Sequence, residues 1–74
     1  MNTAFILVNA ELGTDIANEL KSLPEVKQVY GVYGVYDYVI RLEANTMDEL
    51  KDIVTNKIRR MKNVRSTLTM IVME

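Results

Sequence analysis

The chain has 74 residues, 49% of them hydrophobic, and nine basic against ten acidic side chains leave a net charge of −1. With neither Cys nor His it excludes a disulfide framework, a thiolate-held zinc site, a nucleophilic cysteine and a histidine general base. The near-zero charge also excludes a general electrostatic pull on nucleic acid or anionic lipid.

A chain this short buries only about 60% of its unfolded surface when it folds alone, so association with another chain is the remaining source of stability. No apolar run approaches the roughly 18 residues of a membrane span. The N-terminus MNTAFILVNAELG carries no basic leader, and the default reading is a cytoplasmic protein of one domain, residues 1–74.

Residues 3–9, TAFILVN, read as a strand that ends before the polar stretch around Gly13. Thr3, Phe5 and Leu7 alternate with Ala4, Ile6 and Val8, so both faces are apolar. A strand with one solvated face alternates apolar with polar, and this one therefore needs cover on both sides. Residues 14–23, TDIANELKSL, place Ile16, Ala17, Leu20 and Leu23 on one stripe of a helix that Thr14 can cap and Pro24 ends.

The stretch YGVYGVYDYVIRL, residues 30–42, holds all four tyrosines and two of the three glycines. Valine recurs at positions 26, 29, 32, 35 and 39, and β-branched and aromatic residues dominate, which argues against a helix. Strands are expected at 26–33 and 37–43, joined by a tight connection of Gly34, Val35, Tyr36 and Asp37. Gly34 supplies a backbone conformation that other residues resist, and Asp37 can bond its own backbone nearby.

Residues 46–61, TMDELKDIVTNKIRRM, form the second helix, with Thr46 and Glu49 as a capping box. Its stripe is Met47, Leu50, Val54, Ile58 and Met61. Acidic residues early and Lys57, Arg59, Arg60 and Lys62 late suit the helix dipole. Asn63 is placed to end it in a left-handed conformation, and residues 64–73 form a fourth strand. A weak internal repeat aligns Ile16, Leu20, Leu23 and Val26 with Val54, Ile58, Met61 and Val64.

This order is α+β, a ferredoxin-like βαββαβ fold with a four-stranded antiparallel sheet and both helices on one face. A partner's sheet should cover the other face, giving at least a dimer. Phe5, Ile6, Leu7, Val39 and Ile40 are the candidate interface residues, and alternation alone does not decide which side meets the partner.

The residues LPEV at 23–26, GVYDY at 34–38 and VRSTLTMIVM at 64–73 together resemble the ligand-sensing (RAM) domain of the leucine-responsive/AsnC, or feast/famine, transcription regulators. The hairpin pattern falls on Gly34, Tyr36, Asp37 and Tyr38, and the last-strand pattern on Val64, Thr67 and Thr69. Asn63 stands where that family has a glycine, and the chain has no room for the family's helix-turn-helix DNA reader. The resemblance implies a stand-alone sensing module with no direct DNA binding. It implies face-to-face dimers that assemble further, and association with full-length regulators of the family. It also implies a small effector, typically an amino acid, bound near the hairpin. The ligand-binding residues expected on this basis are Gly34, Val35, Tyr36, Asp37, Tyr38, Thr67 and Thr69. No catalytic residue, metal or cofactor is expected.

Blander readings stand beside these. Gly34 and Asp37 can simply shape a turn, and Thr67 and Thr69 can simply favour a strand. The tyrosines loosely echo an RNA-stacking signature, but without its basic lead residue and on the wrong strand. A small dimeric enzyme of monooxygenase or isomerase type, or a purely structural oligomerisation module, is the alternative function.

Overall fold

The computed structural model describes residues 1–73. The elements run β1 (Asn2–Ala10), α1 (Ala17–Lys21), β2 (Val26–Gly31), β3 (Tyr38–Ala44), α2 (Met47–Ile53) with a π-helical continuation Val54–Ile58, and β4 (Val64–Ile71). The sheet order is β2-β3-β1-β4, and all three pairings are antiparallel. This is the expected βαββαβ arrangement.

Alternation on the central strand separates the two layers. Ala4, Ile6 and Val8 of β1 and Ile40 and Leu42 of β3 are fully buried against Ile16 and Leu20 at α1 and against Leu50, Ile53 and Ile58. Ile6 and Ile40, expected at the interface with a partner, therefore belong to the core beneath the helices. Phe5, Leu7 and Val39 stand on the opposite face. There the register sets Leu7 between Val39 and Leu68, Phe5 between Arg41 and Met70, and Tyr30 beside Val39. Tyr30, Leu68 and Met70 each keep close to half of their surface exposed. The apolar face is bordered by Gln28, which accepts from Tyr30 Oη at 2.7 Å and Arg41 Nε at 3.2 Å, and by the Arg41–Glu43 ion pair.

Local chemistry moves several boundaries from their expected places. Thr14 does not cap α1. Its hydroxyl donates to Glu11 O at 2.6 Å and its N–H to the same carbonyl at 3.2 Å, closing a turn ahead of the helix. Asp15 accepts from Ala17 N–H at 3.1 Å just ahead of the helix, whose cap position is Ile16 with no side-chain cap bond, so the helix begins at Ala17 rather than at residue 14. Thr46 does cap α2, accepting from Glu49 N–H at 3.1 Å.

The second helix does not run as one α-helix to residue 61. Arg59 N–H reaches back five residues to Val54 O at 2.9 Å, the bond of a π turn. Asn63 is not left-handed: among the described residues only Gly13 and Gly34 have positive φ. The chain reverses through two successive turns, Met61 N–H to Ile58 O and Val64 N–H to Met61 O. The Asn63 carbonyl accepts from Glu11 N–H at 2.7 Å.

Candidate functional site

A cleft of about 430 Å³ lies at the end of β1, between the turn that follows it and the β2–β3 hairpin. Its walls are Ala10 to Thr14 on one side and Gly31, Val32, Tyr33, Asp37 and Tyr38 on the other.

The turn is built by Gly13. The Thr14-to-Glu11 bond closes four residues, and the third of them has φ +80°, a value glycine reaches without penalty. This leaves Leu12 almost wholly exposed at the cleft's rim. The facing hairpin closes through Val32 N–H to Asp37 O at 2.9 Å, and Asp37 N–H continues the ladder to Val8 O at 3.0 Å.

Asp37 does not bond its own turn, as local rules suggested. Its Oδ2 accepts from Ala10 N–H at 2.8 Å, across the end of the sheet. That bond ties the hairpin to the first wall of the cleft. The other carboxylate oxygen makes no hydrogen bond among the described residues. Tyr38, one residue on, donates its hydroxyl to Asp15 Oδ1 at 3.2 Å, so the same carboxylate that bonds Ala17 N–H also holds the phenol. Burial pushes the Tyr38 phenol up from its usual range, and the Asp15 carboxylate beside it pushes the same way. Near neutral pH Tyr38 is therefore an uncharged donor.

Of the seven residues expected to bind ligand, the structure brings Asp37 and Tyr38 to the cleft wall. Gly34, with φ +131°, and the exposed Val35 form the hairpin tip beyond the lining, with Tyr36 half-buried next to them. Thr67 and Thr69 lie elsewhere, on the helix side of β4. Thr67 borders a small hollow with Arg59 and Arg65, and Thr69 another with Lys51, Thr55 and Arg59. The cleft is also lined by residues not among those expected: Ala10, Glu11, Leu12, Gly13, Thr14, Gly31, Val32 and Tyr33. Gly13, directly after an apolar strand, was the one local signal for a turn there.

The electrostatics of the cleft are one-sided. Among the described residues Glu11 and Asp37 line it and no basic side chain does. Arg65 approaches Glu11 only at 3.8 Å, with both side chains more than half exposed. Among the described residues no group of three or more His, Cys, Asp or Glu is placed to hold a metal ion, and no helix is long and apolar enough to cross a membrane.

The fold and cleft define the class: a βαββαβ domain with one open sheet face and a cleft at the hairpin end. The chain belongs to the family described as the Lrp/AsnC ligand binding domain, whose sequence model matches residues 3–74.

The matching curated proteins are mostly transcription regulators. The HTH-type transcriptional regulator FL11 of Pyrococcus furiosus is 32% identical over 73 residues, covering 96% of this chain and 48% of that protein. A homocitrate synthase of Sulfurisphaera tokodaii is 39% identical over 61 residues, 82% of this chain but only 13% of the enzyme. The chain thus spans about half the length of the regulator it matches and a small part of the synthase.

Among solved structures, FFRP-DM1 superposes with a TM-score of 0.94 at 40% identity, over 97% of this chain and 99% of that one. The transcriptional regulator NMB0573 of Neisseria meningitidis, in complex with L-Met, superposes with a TM-score of 0.90 at 21% identity, over 99% of this chain and 50% of that one. The latter likeness establishes the shared fold.

Proposed function

We propose that this chain is a sensing module for an amino acid or a similar small metabolite, and that it acts through assembly. A second copy would cover the open sheet face, and larger assemblies, or association with full-length regulators of the family, would pass the signal on. The observation that carries the reading is the cleft itself, with Asp37 anchored to Ala10 by one oxygen and free at the other. A free carboxylate oxygen with Glu11 across the cleft suits the ammonium group of an amino acid. The Tyr38 side chain forms the back of the same wall. The apolar Leu12, Val32 and Tyr33 at the rim offer contact to a side chain. Family membership and the L-Met complex of a protein with the same fold support this reading.

The acidic lining favours ligands of net positive charge over acidic ones. A thermal-shift screen with the twenty amino acids tests the reading. A ligand present at about 100 times its Kd adds about 2.7 kcal/mol of stability, roughly 10–20 °C for a domain of this size. Lysine or arginine should shift the midpoint more than aspartate or glutamate. No shift with any amino acid would leave the purely structural module as the better reading.

A further inference from the structure

The basic residues are unevenly placed. Lys57, Arg59, Arg60, Lys62 and Arg65 account for five of the nine in the chain, and from residue 53 to residue 73 there is no acidic side chain. Lys57 is turned away to Glu25, at 3.4 Å.

Arg59 borders both hollows between α2 and β4, of about 230 and 190 Å³, and among the described residues no carboxylate lines either. Donors line part of them, Lys51, Thr55 and Arg59 from the helix and Thr67, Thr69 and Arg65 from the strand, with Arg65 also 3.8 Å from Glu11; Leu50, Val54, Ile71 and Val64 supply an apolar remainder.

The π turn explains why three helix residues at four-residue steps share one side. In an α-helix a step of four overshoots a full turn, whereas in the wider π turn it falls short. The drift from Lys51 to Thr55 is thus undone between Thr55 and Arg59.

The strand adds main-chain donors. Among the described residues β4 is an edge strand paired only with β1. Val72 N–H bonds Thr3 O, so alternation along the ladder turns the N–H groups of Thr67 and Thr69 to the open edge.

We propose that this double hollow binds a small ligand through its phosphoryl groups, at a site separate from the Asp37 cleft. A set of guanidinium, ammonium, hydroxyl and outward N–H donors, with no carboxylate among the described lining residues, matches a multiply charged oxyanion. Two adjoining hollows that share Arg59 suit two linked phosphoryl groups better than one.

The test uses pyrophosphate as probe, titrated at constant ionic strength while the amide resonances of the protein are followed. Saturable shifts at Thr55, Arg59, Thr67 and Thr69 are expected. Arg59→Gln should weaken binding at least about ten-fold, as loss of a charge-assisted contact does. Thr69→Val should weaken it by a smaller factor. Arg60→Gln removes the same charge from outside the hollows and should change affinity less than about two-fold. Circular dichroism checks that each variant is folded. The proposal is overturned by shifts that follow sodium chloride alike, by shifts centred on Asp37, by Arg59→Gln binding as tightly as wild type, or by Arg60→Gln weakening binding as much as Arg59→Gln. Amino-acid binding at the cleft is measured separately, so failure of either site leaves the other's result readable.

Discussion

Ile6 and Leu7 are neighbours on β1 that face opposite layers, and an aspartate at each separates the core from the proposed interface. Ile6 has no exposed surface. Replacing it forfeits about 2–3 kcal/mol of apolar burial and leaves a carboxyl group in an apolar layer, at several kcal/mol more whether ionised or held protonated. The whole stability of a chain this size is roughly 4–11 kcal/mol at ~0.05–0.15 kcal/mol per residue. Ile6→Asp should therefore be largely unfolded.

Leu7 sits between Val39 and Leu68 on the open face. An aspartate there costs the isolated fold little, about 0.5–1 kcal/mol. In a face-to-face dimer it would set two carboxylates among Phe5, Tyr30, Val39, Leu68 and Met70. Covering those half-exposed side chains is worth about 1 kcal/mol each, and the buried charges cost several kcal/mol apiece. Sedimentation velocity at micromolar concentration, with circular dichroism alongside, should show a dimer or larger for wild type, a folded monomer for Leu7→Asp, and loss of structure for Ile6→Asp. A wild-type monomer, or a Leu7→Asp protein that remains assembled, would refute the assignment of the open face to a second copy.

Asp37→Asn keeps an acceptor for Ala10 N–H but loses the charge. It should weaken an amino-acid ligand by about 1.5–3 kcal/mol in calorimetry while the urea midpoint moves little. Asp37→Ala also breaks the tie between hairpin and turn, and should cost about 1 kcal/mol of stability besides. Gly34→Val and Gly34→Ala should each lose about 1–3 kcal/mol in urea titration. The φ of +131° penalises any side chain there, while a Cβ would meet nothing within 4 Å, so the larger residue should be little worse than the smaller. Tyr38 has its phenol raised above the ordinary value of 10.0, so the folded state holds that proton longer than the unfolded one. Its contribution is fully present below pH ~10 and is lost as pH climbs through the folded value; Tyr38→Phe should flatten this alkaline decline in a pH series of thermal melts.

The fold was legible because its signals are periodic and short-range. Two apolar faces on residues 3–9 identified a central strand, and Thr46 with Glu49 marked a helix start that the structure retains. Boundaries were lost wherever a polar side chain had two partners to choose from. Thr14 is an acceptable cap, yet its hydroxyl serves the turn that Gly13 makes possible, and the helix starts later, after Ile16, with Asp15 bonded to Ala17 N–H. The expected stripe on α2 left out Ile53, which is buried, although a step of three from Leu50 sets it on the same face of a regular helix. A π turn carries no period of its own in so short a segment, so only the Arg59-to-Val54 bond reveals it.

The cleft was half legible, for a reason that lies in the distance between its walls along the chain. Family likeness pointed to the hairpin, and the hairpin supplies Asp37 and Tyr38. The opposing wall, Ala10 to Thr14, is joined to it by a bond from Ala10 N–H to Asp37 Oδ2 across 27 positions of sequence. Local rules assign a turn aspartate to its own backbone two residues on. Here the sheet register overrides them. Because β3 pairs with β1 through Tyr38 and Val8, Asp37 arrives at the end of β1, where the next free donor is Ala10. The same register explains why Thr67 and Thr69 part company with the hairpin. They pair with Val8 and Ile6 on the far side of β1, and their side chains rise toward α2 rather than toward Asp37. A sequence pattern that unites the hairpin and the last strand therefore spans two places in the monomer. A single ligand touching both would need them brought together by a second copy of the chain.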